Sequence, residues 1–201
     1  MTHGAPAPHL GRLSALPPSP AAFGFMPSVL GRIHSPDIGL AVWQRFTRLN
    51  LRVSASTLLL RPPFTKIVVG TPDLAARRLC HDLLLFHWPL YGDFRRLAVR
   101  FANLASSPIV KMRFEHVTDD SCRKFHVDAV GLRLLCTYAG PGTECVGADG
   151  RVRRTASMEV AVFKGTAFPE AGPRVLHRSP PLSAGPLAGQ SRLVLCIDAV
   201  S

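Results

Sequence analysis

The sequence predicts an α+β protein in which helices come first and a β-rich half follows, closing as a sandwich or barrel. Two features predict it. Before Ser107-Pro108 the apolar residues recur at spacings of three and four; after it they fall in short runs separated by glycine and proline. The 201 residues, 47% hydrophobic and 18% charged, add the scale: one globular domain with a core of its own.

The elements follow in order. Residues 1–36 carry Pro6, Pro8, Pro17, Pro18, Pro20, Pro27 and Pro36 and read as an extended, disordered lead-in. That leaves 37–201 as a single helical plus β-barrel domain. Leu40, Val42, Trp43, Phe46 and Leu49 suit a short amphipathic helix, and Pro62-Pro63 stops whatever precedes it. A clearer helix opens with Thr71 as N-cap, Pro72 at the first helical position and Asp73 in the first turn. Leu79, Leu83, Phe86 and His87 mark its buried side, and Pro89 and Gly92 interrupt it. A further helix over residues 93–104 presents Phe94, Leu97, Phe101 and Leu104 on one face. Short strands are expected at 109–117, 124–130, 132–138, 143–146, 158–163, 175–177 and 193–199.

Charge and cysteine content narrow the function. Lys and Arg number 24 against 13 Asp and Glu, a net charge of +11, and only Lys66, Lys111, Lys124 and Lys164 are lysine. The arginines are scattered singly or in pairs rather than clustered among aromatics, so no specific nucleic-acid partner is expected. No apolar stretch approaches the ~20 residues of a membrane helix, and the proline-rich start is not expected to act as a secretory signal. The five cysteines Cys80, Cys122, Cys136, Cys145 and Cys196 contain no C-x-x-C pair. That argues against a disulfide framework or a zinc ribbon, and the expected setting is cytoplasmic with reduced thiols.

The chemistry concentrates in Phe125-His126-Val127-Asp128. Residues two apart on a strand share a face, so His126 and Asp128 aim an imidazole and a carboxylate at one point. His177, at the end of a later strand, is the candidate third ligand. Two histidines and a carboxylate leave metal positions open, as a non-haem Fe(II) centre requires for cosubstrate and oxygen. Arg192 follows the turn-rich stretch 179–191 and can return near His177, where a guanidinium would hold the distal carboxylate of 2-oxoglutarate. Thr137 and Tyr138 are candidates to add a hydroxyl; being adjacent, they face opposite sides of a regular strand, so only one can serve. Cys122, four residues before His126, offers a soft alternative ligand that would favour Zn(II). Gly140-Pro141-Gly142 lacks the lysine of a phosphate loop and reads as a hairpin turn.

The block 122–144, with Phe125-His126-Val127-Asp128, Arg133-Leu134-Leu135-Cys136-Thr137-Tyr138 and Gly140-Pro141-Gly142-Thr143-Glu144, resembles the bacterial DUF1826 family. His177-Arg178-Ser179-Pro180-Pro181 and Arg192-Leu193 resemble it too, so that the likeness runs from about residue 38 to the C-terminus. Where the family pattern has an aromatic after Thr143-Glu144, this chain has Cys145. The family has no established function; its genomic setting implies bacterial metal homeostasis under zinc limitation. Its pattern is similar to that of iron/2-oxoglutarate oxygenases, which implies helices packed on a double-stranded β-helix (jelly-roll or cupin-like) core. Two readings of function result. One is an Fe(II)/2-oxoglutarate-dependent dioxygenase with His126, Asp128 and His177 on the metal and Arg192, with Thr137 or Tyr138, on the cosubstrate. Its rival is a non-catalytic Zn(II)-binding protein using His126 and Asp128 with His177 or Cys122, and a scaffold without metal is a third possibility. The sequence leaves open the substrate, small molecule or protein, and the oligomeric state.

Overall fold

A computed structural model describes residues 20–83 and 88–200. Among these residues ten strands form two sheets. The larger has the order β1 (Ala21–Gly24), β2 (Leu40–Trp43), β8 (Val160–Lys164), β5 (Leu132–Ala139), β10 (Arg192–Ala199), β4 (Val110–Val117) and β3 (Thr65–Gly70). Its pairs are antiparallel except β1 with β2. The smaller has the order β7 (Val152–Arg154), β6 (Glu144–Val146) and β9 (His177–Arg178). The described residues also hold three α-helices, α1 (Leu49–Ser56), α2 (Pro72–Asp82) and α3 (Trp88–Leu104), and short 3-10 turns.

Alternation along the central strands decides which face goes where. Val110, Met112 and Phe114 of β4, Leu132, Leu134, Cys136 and Tyr138 of β5, and Leu193, Leu195 and Ile197 of β10 turn toward the helices. There they meet Ala75, Ala76 and Leu79 of α2 and Phe94, Leu97, Ala98 and Phe101 of α3, all buried. A second apolar cluster of Leu40, Val42, Cys145, Ala161, Phe163 and Val175 lies on the other face of the large sheet. Cys145 thus fills a buried place where the family pattern led us to expect an aromatic.

Five expectations need correction. Residues 20–36 are not a disordered lead-in: they hold β1 and a 3-10 helix, Pro27–His34, whose Leu30 and Ile33 are buried in the core. The proline-rich composition masked them; residues 1–19 lie outside the described part. The apolar run at 40–43 is a strand, not a helix, with all four residues buried between β1 and β8. A strand covered on both faces loses its alternation and mimics other patterns. Phe46 and Leu49, which completed the helical pattern, are 93% and 74% exposed. Pro89 and Gly92 do not end the helix opened at Thr71, which stops at Asp82; both lie within α3, which opens at Trp88 rather than Asp93, and Pro89 sits in its first turn where its missing N–H costs nothing. Phe86 and His87, expected on the buried side of the helix before it, lie outside the described residues. Finally, the helices do not simply precede the strands: β1 and β2 close one edge of the large sheet and β3 the other. The segment 124–130, expected as a strand, contributes a single bridge, treated below.

One ionic cluster ties the layers together. The Arg45 guanidinium donates to both oxygens of Asp93 on α3, at 2.6 and 2.8 Å, with both side chains 3% exposed. Its Nε donates to the Met158 carbonyl at 2.6 Å, and the Tyr138 hydroxyl donates to Asp93 from β5. Removing one member leaves a buried charge without compensation. Asp93→Ala is therefore expected to lower stability by about 3–5 kcal/mol. Tyr138→Phe should cost less, ~1.5–3 kcal/mol for one bond to a charged group. Urea unfolding of the two variants checks the order.

Candidate metal centre

The centre begins with backbone geometry. His126 and His177 form a two-way antiparallel bridge, each N–H donating to the other's carbonyl at 3.0 Å. Directly opposed residues of such a pair project side chains on the same face. The two rings accordingly stand 4.8 Å apart between centroids. Asp128, two residues beyond His126, returns to that side of the chain. The rest of 124–130 is held by a loop rather than a ladder: Thr166 N–H donates to the Asp128 carbonyl at 2.8 Å and Ala167 N–H to that of Val130 at 3.2 Å. Gly165 makes the approach possible, since a Cβ there would stand 2.0 Å from the Val130 oxygen and 2.6 Å from that of Asp128.

One ligand atom from each of His126, Asp128 and His177 lies within 4.8 Å of the others. Asp128 and His177 are buried and His126 is partly open, with side-chain exposures of 9%, 4% and 36%. His126 Nδ1 lies 2.8 Å from the Lys124 carbonyl and His177 Nδ1 3.3 Å from that of Val175. Each contact calls for a proton on Nδ1, which leaves Nε2 of a neutral ring as a lone pair. Both Nε2 atoms face Asp128, at 2.9 Å for His177 and 3.5 Å for His126. Lone pairs opposed to a carboxylate repel unless a proton or a cation lies among them. The donor set therefore fits a divalent metal, with each imidazole steered by a carbonyl behind it. Burial alone would raise the Asp128 carboxyl; without a metal and with the imidazoles protonated, the His177 bond and the charges of Arg133, His177 and His126 hold it below its ordinary value.

The same cavity, about 260 Å³, is lined by Arg192 as well as the three candidate ligands. Arg192 is 2% exposed and has no carboxylate partner among the described residues. Hydroxyls hold it instead: Nη2 donates to Thr137 at 2.9 Å and Thr143 at 3.1 Å, and Nη1 donates to Ser179 at 3.1 Å. Nε is buried with no partner. Burial, with the nearby charge of Arg154, pulls its pKa down to about 10. A guanidinium kept out of water without a counter-ion is an unfinished ion pair.

Of the two hydroxyl candidates, Thr137 stands on the cavity side of β5 and touches Arg192. Tyr138 does not. It faces the helices, edge-on to Phe94 and Phe114, and its hydroxyl is committed to Asp93. Cys122 lines the cavity but is not among the three residues whose ligand atoms converge. The larger hollow, about 420 Å³, borders α1 and α3 and contains none of the three. Sequence reasoning gave no role to Thr143, Ser179, Arg133 or Asp198. Thr143 and Ser179 adjoin the Gly-Pro-Gly turn and His177, and that adjacency was the available signal. Arg133 and Asp198 are cross-strand partners of β5 and β10, a pairing no local pattern reveals.

A family model described as "Protein of unknown function (DUF1826)" matches residues 25–198. No curated protein matches the chain in sequence. Among solved structures it is similar to a dioxygenase for auxin oxidation from Arabidopsis thaliana, in binary complex with 2-oxoglutarate. The identity is 13% over 90% of this chain and 92% of that one, at TM-score 0.51. The corresponding dioxygenase in rice is 12% identical over 90% and 83%, at 0.53. A putative oxygenase from Shewanella oneidensis is 13% identical over 89% and 88%, at 0.51. These likenesses establish an oxygenase-like fold. No helix among the described residues is long and apolar enough to cross a membrane.

Gly165 offers a direct probe of the centre. Gly165→Ala forces the 128–130 backbone outward and is expected to cost ~1–3 kcal/mol by overpacking. It should also weaken Mn(II) binding at least tenfold, as read from the free-ion EPR signal during titration.

Proposed function

This chain belongs to the DUF1826 family, and we propose that within it the protein is an Fe(II)- and 2-oxoglutarate-dependent oxygenase. The observation that carries the reading is Arg192, a buried cation without a counter-ion in the cavity that His126, Asp128 and His177 share. The two sheets then correspond to the double-stranded β-helix of such enzymes. His126, Asp128 and His177 would hold the iron, whose bound chemistry is the activation of oxygen at the expense of the 2-oxo acid.

The charge carried by the metal ligands, Arg133 and Arg192 supports a dianionic cosubstrate, with Arg113 paired to Glu115 and with Arg154 and Arg178 sharing Glu144 outside that count. Asp198 neutralises Arg133, and a divalent ion with Asp128 leaves one positive charge. Arg192 adds a second. A dicarboxylate cancels both, with one end at the metal and the other on the guanidinium, where Nε supplies a donor that nothing else uses. Thr137, Thr143 and Ser179 orient the fork toward that end. The cavity sits just below the usual ~300–1,000 Å³ of ligand pockets, a scale suited to a small acid. Every converging ligand atom is nitrogen or oxygen, a set that suits Fe(II) and Zn(II) alike, so the preference for Fe(II) rests on Arg192 in the same cavity.

Anaerobic loading with Fe(II) and then 2-oxoglutarate should produce the weak visible charge-transfer band of the chelate. Tight Zn(II) binding indifferent to 2-oxoglutarate, with no such band, would sink the proposal. Arg192→Lys should keep metal affinity while weakening 2-oxoglutarate at least tenfold, since about 1.5–3 kcal/mol goes with each lost bond between charged groups. Unchanged cosubstrate affinity would remove Arg192 from the site.

A further inference from the structure

Arg133 is the cavity residue that the proposed reaction leaves without a task. Its guanidinium grips two carboxylates at once. Nε and Nη2 form a fork on Asp198, each at 2.7 Å, and Nη1 donates to Oδ1 of Asp128. The fork is fixed by the sheet, because Arg133 on β5 and Asp198 on β10 are registered cross-strand partners. Arg133 is 19% exposed and Asp198 11%, so water does not dilute the contact. Oδ2 of Asp128 faces His177 Nε2 at 2.9 Å, and Oδ1, the oxygen that Arg133 holds, is the one nearer His126 Nε2, at 3.5 Å.

We infer that Arg133, anchored by Asp198, is a positioning residue that blocks one oxygen of Asp128 and makes it a one-oxygen metal ligand. This rests on the functional reading above and deepens it. Two imidazoles and one carboxylate oxygen occupy three of an octahedral ion's six positions. A chelating 2-oxo acid takes two more, and oxygen needs the last. Were Asp128 to bind through both oxygens, one of those positions would be lost. Arg133 opposes this: its Nη1 occupies one side of Oδ1, and the fork on Asp198 holds that donor in place. A lysine or glutamine in its place has no such double anchor.

The experiment counts waters on Mn(II) in the full chain without cosubstrate, from the line broadening that ¹⁷O-water causes in the EPR spectrum. The unaltered protein should show three bound waters, and Arg133→Gln should show two, with 2-oxoglutarate affinity reduced about tenfold while Arg192 is intact. Two waters in the unaltered protein would overturn the inference and leave the metal site standing. So would three waters in an Arg133→Gln variant that still binds Mn(II). A variant that fails to fold returns the decision to the count in the unaltered protein. Absence of any Mn(II) binding there would bring down the functional reading itself.

Discussion

A pair of backbone hydrogen bonds, His126 to His177 and back, is the constraint on which the site depends. It joins a loop before β5 to a two-residue strand of the small sheet, segments far apart in the chain. Side-chain direction then follows without further adjustment. Opposed residues share a face, a residue two along shares it again, and three ligand atoms converge. The bridge is short and isolated, so neighbours must hold it. β9 does so from one side by pairing with β6, and the loop after β8 does so from the other by capturing the carbonyls of Asp128 and Val130. Gly165 is indispensable in that second grip, which explains a glycine where a turn alone would accept several residues.

The arginine-rich composition takes on a meaning that its scatter along the chain concealed. Three guanidiniums are withdrawn from water by the fold, and each is treated differently. Arg45 is fully paired with Asp93 and joins loop, helix and sheet. Arg133 divides itself between Asp198 and Asp128, linking the sheet to the candidate ligands. Arg192 receives only hydroxyls. Burial costs a charge several kcal/mol unless it is compensated. The first two therefore belong to the architecture, and the third, left short, marks where an anion is expected to complete the structure.

How much of this was legible in the sequence varies with the kind of signal. β4 was plain because one face is covered and the other is not, so Val110, Met112, Phe114 and His116 alternate cleanly. α2 was plain from Thr71, Pro72 and Asp73, although Thr71 makes no side-chain cap bond and the cue lies in backbone preference. β2 was hidden by burial on both faces, and β7 by brevity and full exposure. The residues His126, Asp128, His177 and Arg192 could be singled out by chemical type. Their partners were less legible: Thr143 and Ser179 had only adjacency to a turn and to His177, while Arg133 reaches the cavity, and meets Asp198, through sheet register that depends on the whole chain.

The large sheet works as a partition, and its alternation explains why neighbours in sequence have opposite duties. Along β5, Leu134, Cys136 and Tyr138 enter the helix-side core while Arg133 and Leu135 line the cavity, and Thr137 binds Arg192. Along β10, Leu193, Leu195 and Ile197 are core, while Val194 and Asp198 lie on the charged side. A slip of one residue in either strand would carry arginine and aspartate into the hydrocarbon layer and leucine into the cavity. The apolar packing beneath α2 and α3 thus fixes the register, and the register places Arg133 opposite Asp198. Thr137 and Tyr138 are the sharpest instance: one hydroxyl braces the buried cation and the next, one peptide away, closes the ionic cluster on the far side. The placement of Arg133, Thr137 and Arg192 beside the candidate centre is therefore a by-product of core formation, set by the apolar residues packed beneath α2 and α3.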